Sequence, residues 1–344
     1  MKARAEITGW GKYVPSKVIT NDDLSRMVDT NDEWITTRTG IKERHIRTEE
    51  DTTTSMAVAA ANDALKISGL AANDLDLIMV ANSSPDYLLP ASANMIQHEL
   101  GATCPALTVA AGCSGWVYAL VTGSQFIETG AYRNILVIGV ELISYALDYT
   151  DRSTCVLFGD AAAAVVIQPA TNGAGLMTFE LGSDGGKAKD LWVPGGGTAN
   201  PVSQSVVDNK EMYIRMNGQE VFKFATRKLT SCLQNITAAA GITPADLDLI
   251  IPHQANKRII EYAAGLLSLP MDKFFINLHK YGNTSAASIP LALVEAIEEG
   301  RVQAGDVTGM VAFGSGLSWA GAVIKMGEAI NKVNTSTITE AVLQ

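Results

Sequence analysis

Cysteine is scarce in this chain, with four thiols in 344 residues, at positions 104, 113, 155 and 232. They form neither a CxxC pair nor a His-Cys spacing suited to zinc. A secreted disulfide framework and a structural zinc site are therefore set aside, and a reducing cytoplasm is the default compartment. Long hydrophobic runs are lacking too. No stretch of about 18 uninterrupted apolar residues occurs, and no basic-then-apolar leader precedes the first strand-like segment, Ala5-Glu-Ile-Thr-Gly-Trp10. The chain reads as soluble, with no membrane partner. Nor is there an excess of positive charge: 26 basic against 36 acidic residues leave a net charge of -10, which repels polyanions and argues against nucleic acid as the main partner. What the chain has is apolar content, at 47%, enough for a large core. Its length favours two domains or one duplicated unit.

The chain repeats itself. Ala72-Asn-Asp-Leu-Asp-Leu-Ile-Met-Val-Ala-Asn-Ser83 matches Pro244-Ala-Asp-Leu-Asp-Leu-Ile-Ile-Pro-His-Gln-Ala255 at an offset of 172 residues. Glu128-Thr-Gly130 likewise answers Glu298-Glu-Gly300 at an offset of 170. Two such matches indicate a duplicated half. Short β-branched runs at Leu75 to Ala81, Ile135 to Val140 and Ala162 to Ile167 read as buried strands. Stretches of 3.6 period at Thr54 to Ile67, Ser114 to Glu128, Val221 to Ala240 and Ser285 to Glu299 read as helices. The alternation predicts an α/β fold with mostly parallel sheets. The expected division is 1–172 for the first half, 173–330 for the second and 331–344 for a tail rich in Thr and Ser. Gly182-Ser-Asp-Gly-Gly186 and Gly195-Gly-Gly197 fit neither phosphate-loop pattern and read as surface or pocket-edge loops.

An offset of 170 carries Cys113 onto Asn283, with Gly112-Cys-Ser-Gly115 facing Gly282-Asn-Thr-Ser285. His253 ends a strand of the second half. In open α/β architectures ligands bind beyond the carboxyl ends of strands, so these three residues are placed at one site. A helix N-terminus lowers a thiol's pKa and supplies donors for an oxyanion, which suits Cys113 as a nucleophile, with His253 and Asn283 stabilising negative charge. Taken singly, a buried structural cysteine and a hydrogen-bonded core histidine fit the same positions.

At these residues the sequence resembles the β-ketoacyl-acyl carrier protein synthase III family of thiolase-like condensing enzymes. The resemblance runs from about Ile7 to Met326. It rests on Asp29-Thr-Asn-Asp-Glu-Trp-Ile-Thr-Thr-Arg-Thr-Gly-Ile-Lys-Glu-Arg-His45, Ala111-Gly-Cys-Ser-Gly115, Pro252-His-Gln-Ala-Asn256, Gly282-Asn-Thr-Ser-Ala-Ala-Ser288 and Phe313-Gly-Ser-Gly316. It implies a thiolase-like fold of two duplicated α/β halves, a homodimer, and the condensation that starts bacterial type II fatty acid synthesis. An acyl-CoA, most simply acetyl-CoA, would acylate Cys113, and malonyl-acyl carrier protein would then be decarboxylated by His253 and Asn283. No metal or resident cofactor is implied; coenzyme A enters as part of the substrate. The resemblance places Trp34 and Arg38 around the adenine and Arg152, Gly218, Phe222, Asn256 and Arg258 along the entry tunnel. It gives the oxyanion hole to the backbone of Cys113 and Ser315. Leu89 matches a position that closes the acyl pocket across the dimer.

The sequence departs from the family pattern at Thr108, where many members have Asp, at Gly112, where Ala is usual, and at Ser315, which interrupts a glycine run. An acidic carrier protein needs a basic surface, for which Lys223, Arg227, Lys257 and Arg258 are the candidates; ordinary solvated charge is the other reading of each. Two alternatives stand beside this function. One is a secondary-metabolism relative that condenses or transfers an unusual acyl group, and the other is a noncatalytic partner subunit.

Overall fold

The computed structural model describes residues 3–331, so the expected tail lies, beyond Asn331, outside the described residues. The first sheet is built from β1 (Ala5–Tyr13), β2 (Leu77–Ala81), β3 (Ala106–Val109), β4 (Ile135–Leu142) and β5 (Asp160–Pro169), in the order β1-β5-β4-β2-β3. The second is built from β6 (Gly175–Ser183), β7 (Leu249–Pro252), β8 (Val307–Gly314) and β9 (Ser318–Lys325), in the order β6-β9-β8-β7. Placed side by side, the orders are the same, with β6, β9, β8 and β7 standing where β1, β5, β4 and β2 stand. The internal repeat is therefore a repeat of topology.

Connecting these strands are α1 (Asp32–Thr39), α2 (Thr53–Ser68), α3 (Ser92–Glu99), α4 (Gly115–Glu128), α5 (Gly218–Ala239), α6 (Lys257–Leu267) and α7 (Ser288–Glu298). Helices α4 and α7 lie between the sheets, in one core with Met79, Val137, Ile251 and Met310 from the two sheets. Being covered all round, α7 is apolar all round: residues 288–297 are buried without a break. The outer face of the first sheet is covered by α2 and α3, and that of the second by α5 and α6. Strands such as β4, ILVIGVEL, are buried along their whole length and so lack polar alternation.

The expectation of mostly parallel sheets is corrected. In the first sheet β2 pairs parallel with β3 and β4, while β5 pairs antiparallel with β4 and β1. In the second only β7 and β8 are parallel. For β8 and β9 the cause is connection length, since the chain returns through Ser315-Gly316-Leu317, too short for a crossover. The 170-residue pairing of Cys113 with Asn283 is also corrected. The short turns that precede α4 and α7 begin at Gly112 and Ser285, an offset of 173, so Cys113 sits inside its turn whereas Asn283 lies two residues before the equivalent one.

These two turns meet where the halves join. The first packs on β8 and the second on β4, each on the central strand of the opposite half. The approach is close enough to require glycine on both strands. A Cβ at Gly139 would stand 2.6 Å from the Ala286 carbonyl oxygen, and one at Gly314 would stand 2.6 Å from the Cys113 nitrogen. Gly139→Ala is therefore expected to cost about 1–3 kcal/mol of stability through overpacking. Denaturant unfolding checks this, and an unchanged midpoint would contradict the close approach.

Candidate active site

Cys113 occupies the turn 112–114 between β3 and α4 and is buried. Its sulfur faces the backbone N–H groups of Cys113 itself and Ser315, and its Sγ lies 3.4 Å from Ser285 Oγ. The expected lowering of the thiol pKa at a helix end is not what the surroundings produce. Desolvation disfavours the thiolate more than these donors favour it, the nearby Glu141 carboxylate works in the same direction, and the pKa is pushed up to about 11. Ser315 is not among the residues with positive φ, so a side chain is accommodated there; its hydroxyl donates to the Leu191 carbonyl at 2.8 Å while its N–H stays turned to the sulfur. Gly112 has φ +53, a left-handed conformation in which the alanine that the resemblance led us to expect there would be strained. Thr108 Oγ1 accepts from the Ala93 N–H at 3.3 Å.

His253 follows β7, its N–H bonded to the Val311 carbonyl at 2.8 Å and its ring set edge-on to Phe313 with centroids 5.2 Å apart. Burial lowers its pKa to about 3, so the imidazole is neutral. Nδ1 lies 2.7 Å from Ser288 Oγ. That hydroxyl is buried and has no other hydrogen-bond partner among the described residues, so it donates to Nδ1 and leaves the proton on Nε2. Asn283 Oδ1 accepts from the Ser285 N–H at 2.9 Å, which leaves the Nδ2 donors free for the cavity. Two uncharged donors are thus held in place by serines of one short segment.

Cys113, His253, Asn283 and Phe313 line a single cavity of about 90 Å³, and Gly218, Phe222 and Asn256 line its outer part. Cys113 also borders a second chamber of about 570 Å³, mostly apolar, walled by Ile143, Phe158, Trp192 and Ile214. The thiol sits where the two meet. Beyond the smaller cavity, Asn256 caps α6 by accepting from the Arg258 N–H and donates to the Arg38 carbonyl at 3.0 Å. Arg38 and Arg152 hold their guanidinium carbons 4.6 and 5.1 Å from the centre of the Trp34 ring, and Arg152 is tied to Asp29. Arg38 already contacts Trp34, so an adenine flanked by the pair requires that guanidinium to swing aside.

Leu89 lines none of these cavities; it is 86% exposed, beside Tyr87 and Leu88. Of the basic candidates, Lys223 is paired with Glu220 and Lys257 with Glu261, whereas Arg227 and Arg258 have no acidic partner among the described residues. Sequence reasoning missed Glu141, Ser285 and Ser288. The serines lie inside the Gly282–Ser288 motif, and Glu141 continues an apolar strand with a carboxylate, which is itself a signal. No helix among the described residues is long and apolar enough to cross a membrane.

With its pKa pushed up, Cys113 is expected to contribute no thiolate absorbance at neutral pH in a wild-type minus Cys113→Ala difference titration, the signal growing only as pH approaches 11. A thiolate appearing below a pH of about 8 would contradict the dominance of burial.

Comparison with known proteins agrees with this geometry. Residues 107–185 match the family model described as 3-Oxoacyl-[acyl-carrier-protein (ACP)] synthase III, and residues 237–326 match the model of its C-terminal part. A relative from Caldanaerobacter subterraneus named beta-ketoacyl-[acyl-carrier-protein] synthase III is 49% identical over 325 residues, covering 94% of this chain and 98% of its own. One of the same name from Bacillus pumilus is 48% identical over 94% of this chain and 99% of its own. The crystal structure of 3-oxoacyl-[acyl-carrier-protein] synthase III from Aquifex aeolicus superposes with a TM-score of 0.87 at 44% identity, covering 93% of this chain and 99% of that one. On these matches, which span both halves of the duplicated fold, the chain belongs to the β-ketoacyl-[acyl-carrier-protein] synthase III family of thiolase-like condensing enzymes.

Proposed function

We propose that this enzyme starts type II fatty acid synthesis by condensing an acyl-CoA, most simply acetyl-CoA, with malonyl-acyl carrier protein. The observation that carries the reading is the convergence of Cys113, His253 and Asn283 on one buried cavity. The Cys113 sulfur attacks the thioester carbon of the primer, and the oxyanion is held by the N–H groups of Cys113 and Ser315. Coenzyme A departs and leaves the acyl group on Cys113. Malonyl-acyl carrier protein then enters. Loss of CO2 places negative charge on the malonyl thioester oxygen, where His253 Nε2–H and Asn283 Nδ2–H stabilise the enolate. Its carbon attacks the acyl-cysteine, and the β-ketoacyl product leaves on the carrier protein.

This chemistry needs no resident cofactor, because the β-carboxylate supplies the carbanion as it leaves. Gly218, Phe222 and Asn256 line the route of the pantetheine arm, with Arg258, Trp34, Arg38 and Arg152 farther out. We assign the enzyme to the cytoplasm as a homodimer in which the exposed Tyr87-Leu88-Leu89 segment meets the partner, with Leu89 closing the acyl chamber. Arg227 and Arg258, unpaired with acids among the described residues, are better placed than Lys223 and Lys257 to meet an acidic carrier.

Incubation with acetyl-CoA is expected to add one acetyl group, mapped by peptide mass spectrometry to Cys113, with Cys104, Cys155 and Cys232 unlabelled. Labelling that persists in Cys113→Ala would refute the assignment. Arg258→Glu is expected to raise KM for malonyl-acyl carrier protein more than for acetyl-CoA, and increasingly so at low salt, where charge repulsion is least screened. Equal effects on both substrates would place Arg258 on the coenzyme A route alone.

A further inference from the structure

The site as described holds a neutral thiol and no base for it. His253 presents Nε2–H to the cavity and its Nδ1 lone pair is taken by Ser288, so it has nothing with which to accept the Cys113 proton. One carboxylate does stand within reach. Glu141, fully buried near the end of β4, is the charged residue of an otherwise apolar strand, and no cation pairs with it among the described residues. Its Oε2 accepts from Ser84 Oγ at 2.6 Å and from the Ser83 N–H at 3.1 Å. The Ser84 oxygen itself accepts from the Leu142 N–H, which fixes its proton on Glu141. Oε2 is thus saturated. Oε1 faces Ser285 Oγ at 3.1 Å, and the same Ser285 Oγ stands 3.4 Å from Cys113 Sγ.

A serine hydroxyl has one proton, so it donates to only one of these two neighbours and accepts from the other. With a carboxylate on one side and a protonated thiol on the other, the order is S–H to Oγ and O–H to Oε1. We infer that Glu141, acting through the Ser285 hydroxyl, is the proton acceptor that activates Cys113 for acylation. This rests on Cys113 being the nucleophile. As the new S–C bond forms, the thiol proton moves to Ser285 Oγ and the Ser285 proton moves to Glu141 Oε1. When the tetrahedral intermediate collapses, the C–S bond to coenzyme A breaks and its thiolate takes a proton back through Ser285, restoring the carboxylate. Thiol plus acyl-CoA gives acyl-cysteine plus free coenzyme A, and no proton is left over.

Two further features support the relay. Ser285 is buried with φ +50, a left-handed conformation that glycine adopts freely and serine does not, and such strain is characteristic of functional positions. Burial also raises Glu141 to about 7, where a base is effective at neutral pH. Cys113 and Tyr145 are the titratable side chains that feel its charge. Of the elements packed on β4, β2 carries no titratable side chain, and Asp160 of β5 turns to Ser144 and the Arg47 N–H. Asp63 and Lys66 of α2 are exposed, and α4 carries Tyr118, bonded to the Gly182 carbonyl, and the distant Glu128.

The test is single-turnover acylation of Cys113 by acetyl-CoA, followed by mass spectrometry across pH in the full-length enzyme. The wild-type rate is expected to rise with pH and level off as Glu141 ionises, near 7. Glu141→Gln removes the base, and because its single amide oxygen is claimed by the Ser83 N–H and the Ser84 hydroxyl, its NH2 faces Ser285; it is expected to lose that inflection and to acylate roughly 10²- to 10⁴-fold more slowly at neutral pH. Its deficit should shrink as pH rises toward 11, where the thiol ionises unaided. Ser285→Gly, relaxed at this φ, removes the bridge without straining the backbone and should show the same loss with Glu141 present. A folded Glu141→Gln or Ser285→Gly enzyme with the wild-type rate and pH profile would overturn the relay while leaving the nucleophile in place. A wild-type enzyme never acylated on Cys113 would instead overturn the function on which the relay rests.

Discussion

The structure depends on the contact between the two turns that precede the buried helices. Each is pressed against the central strand of the opposite half, at Gly139 on one side and Gly314 on the other, with no room for a Cβ. Because the halves share one topology, the turns meet with unlike residues: Cys113 on the first, and on the second Ser285, with Asn283 just before that turn and Ser288 just after it, behind His253. His253 comes from the strand end beside them. Neither half contains the site alone. Duplication supplied the scaffold, and divergence of the two turns supplied the chemistry.

The same contact excludes water, and that decides the protonation states. Burial raises the Cys113 thiol and the Glu141 carboxyl and lowers the His253 imidazole, so each is displaced toward its neutral form. A neutral histidine is the useful state here. In the proposed mechanism it donates one fixed hydrogen bond toward a negative charge that exists only in the decarboxylation transition state, without pairing beforehand with the malonyl carboxylate. A neutral thiol, by contrast, needs help, and the Ser285 hydroxyl that links it to Glu141 borders the larger chamber and not the histidine cavity. In the proposed mechanism one dry site therefore serves a proton transfer and an enolate with separate groups.

Much of this was legible in the sequence. Buried strands such as β4 and β5 stand out because both faces are covered and β-branched residues run without polar alternation, and the repeated Asp-Leu-Asp-Leu-Ile segment located corresponding strands of the two halves. The parallel bias was misleading because strand-helix alternation says nothing of a three-residue return such as Ser315 to Leu317. Cys113 was found by its place at a helix start, but its ionisation was misjudged, since a helix end is visible in sequence and the depth of burial is not. Glu141 was overlooked one residue past the predicted strand end at Val140. Its meaning lies in contacts with Ser84 and Ser285, 57 and 144 residues away, which no local pattern reveals.

The central claim is that the two half-reactions use separate donors arranged around one thiol. It is tested most directly by measuring single-turnover acylation of Cys113 and decarboxylation of malonyl-acyl carrier protein side by side in a folded Asn283→Ala enzyme. The account predicts acylation close to wild type and decarboxylation slower by roughly 10²- to 10³-fold, the usual cost of losing one preorganised oxyanion donor. Equal loss in both steps would make Asn283 a brace for the Ser285 turn, and normal decarboxylation would contradict its role outright.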